Sequence, residues 1–153
     1  MFRRILTLLD PTPRQQFAVQ YGVKLARTSG AEVHLIGVIA LPVVETTIDE
    51  VRELEDQGRW AFQSVMRQAR EYAEREGQPV TTEVLAGPPA PTVLRLVAAR
   101  SIDLIVISRE DHALDHEWRQ VARTAPCPVF VARKAVVEQS TGPADHRTAR
   151  SSE

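Results

Sequence analysis

Residues 108–117, SREDHALDHE, bring together side chains able to do chemistry. Glu110, Asp111, Asp115 and Glu117 supply carboxylates, with His112 and His116 four residues apart among them. On a helix, that spacing can present two imidazoles to one metal ion. The helix here is expected to begin near Asp115, which leaves His112 in the preceding turn, and no third ligand lies nearby. No metal site is therefore expected. Phosphate chemistry fits the segment poorly as well. A phosphate cradle needs backbone N–H groups converging on one anion, and glycine permits the close approach. This segment contains no glycine. Asp115 is expected as an N-cap and Glu117 in the first turn, so side-chain acids already complement the helix N–H groups and dipole. Two like charges about 5 Å apart at an effective dielectric near 20 repel by about 3 kcal/mol, less in salt. Arg109 offsets part of that repulsion, and Mg²⁺ bridging acids to phosphate is the alternative.

Elsewhere the chain offers little for catalysis. There is no nucleophile elbow, no Cys–His arrangement and no acid–base pair at telling spacing, so no catalytic residue is assigned and the chain is not expected to be an enzyme. Cys127 stands alone in an apolar run and reads as an inert small hydrophobe. Trp118 is expected to pack beneath the 108–117 loop against strand four or five, with a ligand platform as the alternative. Phe62 reads as core and Trp60 as an interface residue.

Composition narrows the classes further. The chain has 153 residues, enough for one domain with one core. It is 43% hydrophobic and 25% charged with net charge −1, so no basic surplus points to nucleic acid or an anionic membrane. The apolar runs are of strand length, too short to span a bilayer. The opening MFRRILTLLD breaks at Thr7 and Asp10 and lacks a small-residue cleavage site, so it reads as a strand rather than a signal peptide. One cysteine excludes an internal disulfide framework and fits a reducing cytosol, so a cytoplasmic location is expected.

The elements that must position these residues alternate between strand and helix. Strands are expected at 4–9, 33–39, 80–85, 104–107 and 128–132. The first helix is expected from a Thr12 cap with Pro13 at its first position and Gln15 completing a capping box, ending at Ser29-Gly30. The second opens at Thr47 with Glu50 three residues on, and carries an apolar face through Ile48, Val51, Leu54, Phe62, Val65 and Ala69 to Gly77. Gly58 weakens its middle by about 1 kcal/mol relative to alanine, enough to permit a kink or frayed start. A proline-rich turn, PPAP, launches the third helix, and the fourth follows the acidic loop. The third strand alternates Val80, Thr82 and Val84 with Thr81 and Glu83, a pattern suited to a sheet edge. This order predicts one α/β domain over residues 1–137, a Rossmann-like or flavodoxin-like parallel sheet covered on both faces. Residues 138–153 are polar and are expected to be a disordered tail.

Four segments in this order, ILTLLDPTPRQQFAVQYGVKLA, GAEVHLIGVI, VLAGPPAPTVLRLVAARSIDLIVI and APCPVFVARK, resemble the universal stress protein family over residues 3–134. The resemblance implies a five-stranded parallel sheet in the order 3-2-1-4-5, with two helices on each face. It implies a stress-response binding module, and a homodimer formed by pairing fifth strands, here through Pro128, Val129, Phe130 and Val131. Family nucleotide sites are similar to Asp10, Val38 and Gly87 at the ends of strands one, two and three. Asp10 suits this chemically, because a strand-end carboxylate can accept hydrogen bonds from ribose hydroxyls. The phosphate motif departs from the family. Ser108 and Asp111 fall where nucleotide-binding members carry two glycines, Asp115-His116 replaces a Gly-Ser or Gly-Thr pair, and the loop is shorter. The expectation is a residual nucleoside pocket without a bound cofactor. The alternative is a sensor or weak ATPase that binds ATP or AMP with Mg²⁺.

Overall fold

The computed structural model describes residues 1–12, 16–41, 46–108 and 115–132. The tail expected beyond residue 137 lies outside them, as do Arg109, Glu110, Asp111 and His112. Strands β1 (Arg4–Leu8), β2 (Glu32–Ala40), β3 (Val80–Gly87), β4 (Leu104–Ser108) and β5 (Val129–Ala132) alternate with four helices. These are α1 (Phe17–Ser29), α2 (Ile48–Arg75), α3 (Pro89–Ala99) and α4 (Asp115–Thr124). All strand pairs are parallel, in the order β3-β2-β1-β4-β5. The expected fold is the observed one.

Strand composition explains the order. RILTL and LIVIS are buried along nearly their whole length, as central parallel strands covered on both faces must be. The more polar β3 is only partly buried and takes one edge. Ile5, Val33 and Leu35 pack with Val19, Phe62 and Val65 on the face covered by α1 and α2. Leu6, Ile36 and Val38 pack with Val93, Val97, Trp118 and Val121 on the face covered by α3 and α4. Trp118 and Phe62 are thus core residues, while Trp60 is 78% exposed.

Three local expectations change. Helix α1 begins at Phe17 with Gln16 at its N-cap position, rather than at Thr12. Thr12 is engaged elsewhere: its backbone N–H and its hydroxyl both donate to Asp10 Oδ1, at 2.9 and 2.8 Å. Helix α2 starts as expected, with Thr47 and Glu50 forming a reciprocal capping box. Its apolar face, though, is buried only from Phe62 onward, and Ile48 and Leu54 are exposed. A helix of 28 residues is about 42 Å long, more than the 9-residue β2 can cover. The helix also runs unbroken through Gly58. There the missing side chain admits Ile39, two of whose carbons lie 2.6 Å from where a Cβ would stand.

Candidate functional site

The ends of β1, β2 and β3 form one rim, and the three residues singled out from the sequence lie on it. Leu8 pairs with Ile36, and the Leu9 N–H donates to the Ile36 carbonyl at 2.9 Å, so Asp10 follows directly onto the level of Val38. Val38 pairs with Leu85 and Ala40 with Gly87, which carries the rim to the sheet edge. The Leu41 N–H donates to the Gly87 carbonyl and closes the corner.

Each of the three has a structural task there. Asp10 is 5% exposed, and its Oδ1 shapes the loop after β1 by accepting both Thr12 donors. Gln16 brackets the same residue from behind: its Oε1 accepts the Asp10 N–H and its Nε2 donates to the Asp10 carbonyl, both at 3.1 Å. Val38 buries its side chain beneath α3 and α4, so only its backbone faces the rim. Gly87 has φ 154°, and a Cβ there would lie 2.8 Å from Thr92 Oγ1, so glycine is required for α3 to start against the strand end.

The acidic segment contributes differently from its expectation. Asp115 is the first residue of α4 rather than the cap preceding it. Glu117 does lie in the first turn of α4, but its Oε1 accepts the Ala90 N–H of α3 at 3.1 Å. The proline-rich start of α3 makes this donor distinctive. Pro89 and Pro91 have no N–H, and the Thr92 N–H donates to the Pro88 carbonyl. Ala90 is left as the one first-turn donor, and a carboxylate from another helix takes it. The sequence showed an acid at a helix start; it did not show that the helix it serves is the neighbouring one, 27 residues away.

His116 is exposed on α4. Among the described residues, no group of three or more His, Cys, Asp or Glu is placed to hold a metal. Cys127 is half-buried, and burial followed by the nearby Asp103 carboxylate pushes its thiol pKa up, away from the reactive thiolate.

A second polar cluster escaped the sequence reading. His34 Nδ1 lies 3.0 Å from Thr81 Oγ1 and 3.5 Å from an Arg100 nitrogen. Arg100 pairs in turn with Glu83, and His34 Nε2 lies 3.6 Å from Glu32, which also meets Arg4. Burial and the Arg100 charge lower the His34 pKa, against a smaller opposing pull from Glu32. The alternation of His34 with Leu35 along β2 marks its face, but nothing local marks its partners.

No helix of the described residues is long and apolar enough to cross a membrane. The chain is 26% identical to a universal stress protein of Methanocaldococcus jannaschii over 147 residues, covering 88% of this chain and 84% of that one. Its fold is similar to that of UspA from Lactobacillus plantarum, with TM-score 0.72 at 22% identity, over 86% and 98% of the two chains. It is also similar to a universal stress protein of Arabidopsis thaliana solved with AMP bound. There the TM-score is 0.63 at 13% identity, over 94% and 99% of the two chains. The sequence model of the universal stress protein family matches residues 1–133. With that match over most of its length, this chain belongs to the universal stress protein family.

Proposed function

We propose that this protein is a cytoplasmic regulatory binding module without turnover. Its rim at Asp10, Val38 and Gly87 receives a nucleoside and disfavours a phosphate. The observation that carries this reading is the Glu117 carboxylate on the Ala90 N–H, three residues beyond Gly87. A negative charge already stands at the helix start beside the rim, and it satisfies the donor there that an incoming anion would use. Repulsion from one such charge at about 5 Å costs an anion about 3 kcal/mol at low salt. A neutral nucleoside escapes that cost. The AMP-bound Arabidopsis protein supports the nucleoside half of the reading, since AMP contains adenosine and only one phosphate. It also supports the second reading, an AMP- or ATP-binding sensor with Mg²⁺.

Equilibrium titration with adenosine, AMP and ATP, each with Mg²⁺, tests the two. Adenosine is expected to bind at least as tightly as AMP, and ATP most weakly. ATP binding about tenfold tighter than adenosine, a difference of about 1.4 kcal/mol, would overturn the reading in favour of the sensor. Release of phosphate from ATP by the purified chain would remove the claim that it does not turn over.

A further inference from the structure

The two edges of the sheet differ. Among the described residues, strand β3 pairs with β2 on one side and with no strand on the other. In a parallel ladder alternate residues turn both backbone groups to the same side. Arg59 Nη1 donates to the Val84 carbonyl at 3.2 Å, which marks Val84 as outward-facing, and Thr82 and Ala86 share its direction. Helix α2 runs beside this edge and leaves a groove of about 570 Å³, lined by Arg59, Trp60, Met66, Arg70, Thr82 and Val84. Trp60 stands 78% exposed at its rim. Arg70 Nη1 donates to Thr82 Oγ1 at 3.3 Å and has no carboxylate partner among the described residues. The one acid on the strand, Glu83, is neutralised by Arg100.

We propose that this groove binds an extended acidic segment of a partner protein as a sixth strand. Charge selects the occupant. Arg70 flanks this edge without a carboxylate partner among the described residues. Arg59 is paired with Glu55 of its own helix at 3.6 Å, and the strand's own carboxylate is already paired. An incoming strand therefore gains by carrying an acid to Arg70. Its backbone meets the outward groups of Thr82, Val84 and Ala86, replacing Arg59 on the Val84 carbonyl. Arg70 then pairs with one of its carboxylates, while Arg59 keeps Glu55 as its partner. Alternate apolar side chains lie on Trp60 and Met66, as strand addition requires.

Trp60 supplies the measurement, because the other tryptophan, Trp118, is only 6% exposed. A blocked peptide alternating valine and glutamate is titrated into the full chain, with its valine–lysine counterpart as control. Expected is a saturable change in emission with protection of Trp60 from acrylamide, and slowed hydrogen exchange at Thr82, Val84 and Ala86. Arg70→Glu is expected to weaken the acidic peptide about tenfold while leaving the circular dichroism spectrum unchanged. Equal binding of the lysine peptide, indifference to Arg70→Glu, or no saturable change at millimolar peptide would overturn the proposal. Self-association of Arg59→Ala in a chain that ignores the peptide would also overturn it, assigning the arginines to guarding an open edge.

Discussion

His34 shows what a single residue does when its surroundings come from four different elements. It sits on β2, with Thr81 and Glu83 on β3, Arg100 at the end of α3, Arg4 on β1 and Glu32 two residues back on its own strand. Burial is the largest influence on its ring, then the Arg100 charge, and both disfavour the imidazolium. Its folded pKa is therefore below the unfolded value near 6.5. Between those two values the unfolded chain binds more protons, so unfolding is favoured as pH falls. The His34 contribution is present above pH 6.5 and is lost as pH falls from there through the folded pKa. The urea midpoint of the wild type is expected to drop between pH 7.5 and 5.5 more steeply than that of His34→Gln, whose amide keeps a polar group beside Thr81. Parallel slopes in the two proteins would remove His34 as the cause. None of this was legible in the sequence, because Arg100 is 66 residues away and reaches His34 only once β2 and β3 are paired. Glu117 stands in the first turn of its own helix, as its spacing indicated, but the hydrogen bond it accepts comes from α3, which local spacing could not show.

At the scale of elements, α2 reverses the sign of an inference. From sequence, Gly58 is a weak point, and alanine there gains about 1 kcal/mol of helix propensity. In the fold, β2 passes so close that an added Cβ would stand 2.6 Å from both Cγ carbons of Ile39. Ile39 is 6% exposed, and its branched Cβ leaves little room to rotate away. Overpacking of this kind costs about 1–3 kcal/mol, enough to cancel or exceed the propensity gain. Gly58→Ala is thus expected to lower the urea midpoint rather than raise it, and to lose that cost in an Ile39→Ala background, which lacks both Cγ carbons. A more stable single variant would show that α2 shifts outward at no cost. The Thr47–Glu50 capping box was legible, since all its parts lie within four residues. The start of α1 was not, because a Thr at a plausible cap position serves the Asp10 turn instead.

For the whole molecule, patterning was enough to specify the parallel sheet, and the family resemblance supplied its strand order. What the order exposes is a pair of unlike edges. On β3, Arg59 and Arg70 lie along the edge, and charged side chains there oppose pairing between identical copies. On β5, the strand VFVA carries no charge, Val129 and Val131 are only partly buried, and Phe130 is 36% exposed. Phe130 is held on the α1 face by Tyr21, whose ring centroid lies 5.3 Å away. An uncharged edge with its side chains already fixed is the one suited to self-pairing. Two copies related by a two-fold axis can continue the sheet antiparallel through it. The wild type at tens of micromolar is therefore expected to sediment at twice its 17.1 kDa chain mass. Val131→Lys is expected to yield monomers with unchanged circular dichroism. Because Val131 also borders the α3–α4 core, Phe130→Lys on the opposite face serves as the independent test. Monomeric wild type would defeat the assignment of β5. A dimer that survives both β5 substitutions but is lost in Arg59→Glu would move the interface to β3, and with it exclude the acidic strand from that groove.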